Sequence, residues 1–290
     1  MALTFVCSGK DRGVCDYEAD RRWTGRCPVD KGGCGQFYKI NVKGNAEEKS
    51  RTSLAALGVR EVKRISTGIP EVDKVLGGGM VAGSTIVISG PPGTGKSTLL
   101  VTIADRVAKG GKKVLYTSGE QTADDVGLIA QRVGALNPDV EVLGNTGDCY
   151  KMAEVIEEIK PELLIVDSIQ TAFLEDVEAA EGSSAQVTAS INFLTALGKR
   201  EKLCLIIVSH VNKDGDIAGP KTLEHLVDTL TEFDPYEAVD EDGDVDESTK
   251  NWRMLTSGKN RNGPSGISEM FEMTDKGIVP VRKKSKLFSV

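Results

Sequence analysis

Residues Thr85-Ile-Val-Ile-Ser-Gly90-Pro91-Pro92-Gly93-Thr94-Gly95-Lys96-Ser97-Thr98 run from an apolar, β-rich stretch into a glycine-rich loop ending in Lys-Ser. Glycines let the backbone wrap an anion so that consecutive N–H groups turn inward. Lys96 adds a mobile positive charge for the outer phosphates, and the Ser97 hydroxyl is a ligand for Mg2+. The loop opens a helix near Gly95, whose unpaired N–H groups and dipole favour the same anion. With a strand before it and a helix after it, the stretch from Gly90 to Thr98 reads as a P-loop that holds the phosphates of a nucleotide.

Three further segments end an apolar run on a polar group. Leu163-Leu164-Ile165-Val166 delivers Asp167, a Walker B pattern in which the carboxylate holds Mg2+ through its water shell. Val114-Leu-Tyr-Thr117-Ser118-Gly119 leads to Glu120, where a carboxylate near metal and γ-phosphate acts as general base; the bland alternative is an acid favoured by the helix dipole. Cys204-Leu-Ile-Ile-Val208-Ser209 leads to His210, a sensor of the γ-phosphate or a core or capping histidine. Beyond it, Val211 to Lys221 forms a glycine-bearing loop whose Lys213 and Lys221 suit a phosphate backbone.

Cys7, Cys15, Cys27 and Cys34 fall in the first 44 residues among glycine, arginine and lysine. Four thiolates can enclose a tetrahedral Zn2+ and supply the folding energy that so short a segment cannot draw from a core. The spacing within each pair is wider than in tight zinc knuckles. Cys149 and Cys204 lie in or beside apolar segments and read as buried, inert thiols.

The elements that must position these groups alternate along the chain. Strands are expected at 85–90, 113–117, 140–143, 163–167 and 203–208, with helices at 95–109, 122–133, 150–160 and 184–200. Such alternation means an α/β fold with a mainly parallel sheet covered on both faces, in which ligands sit beyond the carboxyl ends of the strands. Upstream, Ser66 to Met80 reads as a short capped helix closed by glycines. Downstream, β-rich stretches at 227–233, 251–256, 268–273 and 278–282 read as hairpins added to one side of the sheet, with Asp242-Gly243 as a solvated turn. The domain plan is a zinc-binding module over 1–44, a linker over 45–64 and the main domain over 65–290.

The chain has 290 residues, a hydrophobic fraction of 39% and a net charge of −7. Glu237, Asp240, Glu241, Asp242, Asp244, Asp246 and Glu247 supply seven negatives without an intervening cation, so the acidity is local and the remainder is neutral. No apolar run approaches the ~18 residues of a membrane span, and the N-terminus lacks a signal pattern. A cytoplasmic protein without a membrane partner is expected.

Beyond these single motifs, the chain resembles the RadA (Sms) family of RecA-like DNA-repair ATPases from Phe5 to about Val279. The likeness rests on Phe5-Val-Cys7, Trp23-Thr-Gly25-Arg-Cys27-Pro28, Arg64 to Gly79, the P-loop, Ser118-Gly-Glu120 and Leu164-Ile-Val-Asp167-Ser-Ile-Gln170-Thr171. Later stretches add Ser184-Ala-Gln-Val187, His210-Val-Asn-Lys213-Asp-Gly215, Ile217-Ala-Gly-Pro220 and Leu223-Glu-His-Leu-Val-Asp228. Lys259-Asn260-Arg261-Asn262-Gly263 is similar to the family's Lys-Asn-Arg-Phe-Gly, with asparagine in place of phenylalanine. The resemblance implies a RecA-like core that hydrolyses ATP with Mg2+, with Lys259 and Arg261 reaching a neighbouring subunit's site in a ring, a hexamer in the family. It further implies stimulation by single-stranded or branched DNA, service as a branch-migration or unwinding motor beside a recombinase, and DNA contacts after Thr171 and around Lys213. The alternative it leaves is a nucleotide-gated DNA clamp without motor activity; a P-loop kinase would leave Lys259 and Arg261 unexplained. Family members usually carry two Cys-x-x-Cys knuckles and continue into a domain resembling Lon protease, so this chain is expected to be a short version.

Overall fold

A computed structural model of the protein describes residues 4–7, 38–41, 62–210, 223–239 and 246–281. Cys15, Cys27 and Cys34, the loop with Lys213 and Lys221, and the Asp242-Gly243 turn lie outside the described residues. β1 (Thr4–Cys7) pairs antiparallel with β2 (Tyr38–Asn41). β3 (Arg64–Ile65), α1 (Pro70–Val75) and β4 (Met80–Val81) follow, β3 and β4 pairing antiparallel. Pairing therefore already includes Arg64, the last residue of the expected linker. Asp73 ties the turn before α1 by accepting from Thr67 N and Thr67 Oγ1, each at 2.7 Å.

The main body runs β5 (Thr85–Gly90), α2 (Lys96–Lys109), β6 (Val114–Ser118), α3 (Ala123–Val133), β7 (Val140–Leu143), α4 (Cys149–Ile159), β8 (Leu163–Asp167), α5 (Ser184–Glu201) and β9 (Cys204–His210). After these come α6 (Leu223–Leu226), β10 (Thr229–Pro235), β11 (Trp252–Asn260), β12 (Ser268–Thr274) and β13 (Gly277–Pro280). The sheet order is β13-β12-β11-β10-β5-β9-β8-β6-β7. β10 through β7 are parallel, and β11, β12 and β13 extend the β10 edge as an antiparallel meander. The expected hairpins on one side are thus present. The strand expected at 227–233 begins at Thr229 instead, because Asp228 turns its carboxylate onto the Thr85 N–H at 3.0 Å.

Central strands that read as unbroken apolar runs are buried on both faces, as a helix-covered parallel sheet requires. Ile86, Ile88, Tyr116, Ile165 and Ile206 pack in one core with Leu99, Leu100 and Ile103 of α2. Their alternate neighbours Val87, Leu115, Leu164, Val166 and Ile207 pack in the other with Met152 and Ile156 of α4 and Ile191 of α5. Thr122 and Asp125 form a reciprocal capping box that fixes where α3 starts, directly after Glu120 and Gln121.

Cys149 and Cys204 are both fully buried, and burial pushes both thiols up to about 12. Native protein is therefore expected to leave both unmodified by a thiol-specific reagent at pH 8, whereas denatured protein reacts at both; peptide mass mapping checks this. Because an unfolded thiol ionises near pH 9, the folded state holds more protons between about 9 and 12, and stability falls as pH rises through that window.

Candidate functional site

Parallel register brings the carboxyl ends of β5, β6, β8 and β9 together, with Gly90 opposite His210 and Ser118 opposite Asp167. Two glycines of the loop are required by space as well as by φ. A Cβ on Gly90 (φ 154°) would lie 2.2 Å from the Phe233 carbonyl oxygen, and one on Gly95 (φ 96°) 2.8 Å from Met273 Sδ. Lys96 folds back over the loop, donating to Gly90 O and Pro91 O at 2.8 Å each. Burial lowers its pKa, against the pull of Asp167, Glu120 and Asp234.

Asp167 Oδ2 accepts from Ser97 Oγ and from Tyr116 OH, both at 2.7 Å. Burial, and then the Asp167 charge, raises the Tyr116 phenol well above its ordinary value, so it remains a donor that fixes the carboxylate. Glu120 Oε1 accepts from Ser168 Oγ at 2.9 Å and lies 3.6 Å from His210 Nε2, while His210 Nδ1 is buried with no partner among the described residues. Lys96, Ser97, Thr98, Glu120, Asp167 and His210 all line one cavity of about 430 Å3.

The Ser97 hydroxyl and the Asp167 carboxylate form an oxygen-only pair suited to a hard cation that keeps most of its water, and the glycine loop suits a triphosphate. The residues thus fit Mg2+ and ATP. Among the described residues no group of three or more His, Cys, Asp or Glu is placed to hold a metal. The zinc expectation at Cys7, Cys15, Cys27 and Cys34 lies outside what is described, since of Cys7 only the backbone is.

Lys259 and Arg261 are not brought to this cavity. β11 runs antiparallel to β10, so Arg253 at its start faces Pro235 near the P-loop, while Lys259 and Asn260 face Leu230 and Thr229 at the far end of the sheet. There Lys259 Nζ donates to Glu224 O and to Val227 O, and Arg261 donates to His225 O at 3.2 Å and to Asp228 Oδ1 at 3.4 Å. Burial, then the neighbouring Arg261, lowers the Lys259 pKa.

The AAA domain family matches residues 49–216, more than half of the chain. The chain belongs to this family of RecA-like ATPases. Curated relatives of this AAA-domain protein bear the name DNA repair protein RadA. That of Listeria monocytogenes is 34% identical over 296 residues, covering 98% of this chain and 60% of the relative. That of Aquifex aeolicus is 37% identical over 282 residues, covering 94% and 60%. That of Mycobacterium tuberculosis is 37% identical over 277 residues, covering 92% and 55%. The RadA resemblance read from scattered motifs is therefore borne out along nearly the whole chain, which spans about 60% of the length of these relatives. A solved KaiC-like protein from Pyrococcus horikoshii shares the fold, with a TM-score of 0.60, 19% identity and coverage of 77% of this chain and 100% of its own.

Four residues of the AAA-domain site were not singled out by sequence. Tyr116 looks like core because it sits inside an apolar strand. Arg253 Nε donates to Thr94 O of the P-loop at 3.2 Å from a strand far away in sequence. Arg132 reads as a helix-end cation and Met273 as hairpin core, yet both line the cavity. Of the four, only Arg132 has a local sequence feature to find it by, a cation in the last turn of α3.

Proposed function

We propose that the chain is a Mg2+-dependent, DNA-stimulated ATPase of the cytoplasm that works in DNA recombination and repair as a branch-migration or unwinding motor. The observation that carries the hydrolytic half is the convergence of Lys96, Ser97, Asp167 and Glu120 in one cavity around a glycine loop. When bound, Mg2+ supplies charge neutralisation at the phosphates, and Ser97 and Asp167 are the residues that would hold it. Loop amides and Lys96 bind the phosphates. Glu120 takes the proton of the attacking water, with Ser168 fixing its Oε1, and His210 beside it senses the γ-phosphate.

The DNA half is supported by the RadA names of the relatives and by Lys213 and Lys221 in the sequence after His210. Assembly as a ring, a hexamer, is drawn from the family resemblance at Lys259 and Arg261, which lie away from their own chain's cavity. A recombinase as partner extends the same reading. Zinc at the four N-terminal cysteines is supported by sequence, and metal analysis of the purified chain measures it.

Phosphate release from Mg-ATP, with and without single-stranded DNA, tests the proposal. Turnover that requires Mg2+ and rises with DNA is expected. Turnover indifferent to DNA, with phosphate passed to a small acceptor, would replace it by a kinase; DNA-stimulated turnover without movement of a branch point or strand would leave a nucleotide-gated clamp.

A further inference from the structure

We propose that Arg132 and Met273 clamp the nucleobase at the end of the cavity opposite the reacting phosphate, an inference that deepens the ATPase reading and rests on it. Ser97 turns toward Asp167, and Glu120 with Ser168 and His210 occupies the same region, so that end receives the γ-phosphate and water. Thr98, the next residue, is turned about 100° around α2. Its Oγ1 accepts from Arg132 Nη2 at 3.2 Å, so Arg132 stands on a different flank from the metal-binding pair.

A second element closes the same flank. Met273 of β12 lies against Gly95, and the β12–β13 turn packs on the end of α3, where a Cβ on Gly277 would sit 3.0 Å from Val133 Cγ1 and 4.0 Å from Thr98 Cγ2. Arg132 is exposed, and its one side-chain hydrogen bond among the described residues, to Thr98, runs in the guanidinium plane and leaves the faces to stack. A guanidinium plane stacks on aromatic rings, and a thioether makes a favourable contact with a ring face or edge. These groups supply what a P-loop lacks, recognition of the base.

Calorimetric titration of the full chain with Mg-ATP and with Mg-tripolyphosphate, which has the phosphates and no base, tests this. R132A and R132K are each expected to weaken ATP about tenfold, with tripolyphosphate changed less than about twofold and with thermal stability unaltered. M273A should weaken ATP by about threefold. In turnover, R132A should raise KM and leave kcat within about threefold. Equal losses for both ligands, full recovery by R132K, or unaltered ATP affinity in R132A would overturn the clamp; if tripolyphosphate binds the wild type too weakly to compare, R132K decides. A wild type that fails to bind Mg-ATP overturns the ATPase reading and the clamp with it, whereas wild-type binding with R132A unaffected removes the clamp alone.

Discussion

Glu120→Gln is expected to lower ATP turnover by about 10²–10⁴-fold, the usual contribution of a positioned general base. Glutamine keeps the shape and can still meet Ser168 Oγ, but it cannot take a proton from water. ATP affinity should stay within about threefold, because no hydrogen bond joins Glu120 to Lys96 or Ser97; the loss belongs to the transition state alone. If anything, removing a carboxylate near the phosphates relieves repulsion. Single-turnover phosphate release together with ATP titration checks both halves. Turnover close to wild type would reduce Glu120 to an acid at the start of α3, the bland reading of its position.

The strand ends could be read from sequence because the signal is local. An apolar run stops, a polar residue follows, and a parallel sheet places all such residues on one edge. Gly90, Glu120, Asp167 and His210 come together for that reason. What could not be read was contact across the sheet. Tyr116 alternates onto the α2 face like its apolar neighbours, and only the fold shows its hydroxyl meeting Asp167. Arg253 and Met273 reach the P-loop because the meander wraps the β10 edge, an arrangement that local periodicity does not encode. β10 starts two residues later than its sequence suggests for a similar cause, since Asp228 serves as an anchor for Thr85 rather than as a rung of the sheet. Lys259 and Arg261 are the opposite case: resemblance marked them, and no spacing argument located them.

Arg261→Ala is expected to abolish most turnover, by about 10³-fold or more, the effect of losing an arginine that stabilises a phosphoryl transition state. The arginine lies at the end of the sheet away from its own chain's P-loop. It follows β11 where that strand pairs with Thr229, beside the Thr85 end of β5, while the P-loop opens at the Gly90 end. The five steps from Thr85 to Gly90 at ~3.3 Å each put roughly 17 Å between those ends. Its guanidinium is moreover held at Asp228 and His225, next to Lys259 at Glu224 and Val227, so both cations gather at the end of the sheet away from the P-loop. In the head-to-tail ring proposed above, that end of the sheet would meet a neighbour's nucleotide cavity. Arg261→Ala mixed with Lys96→Ala, each inactive alone, should therefore regain part of the wild-type rate. In a random equal mixture about a quarter of head-to-tail interfaces join the intact P-loop of one variant to the intact arginine of the other. Recovery that follows the mixing ratio would establish action between subunits. No recovery at any ratio, despite co-assembly shown by mass spectrometry, would confine Arg261 to its contacts with Asp228 and His225, and its loss would then appear as a lower melting temperature instead of a missing catalytic charge.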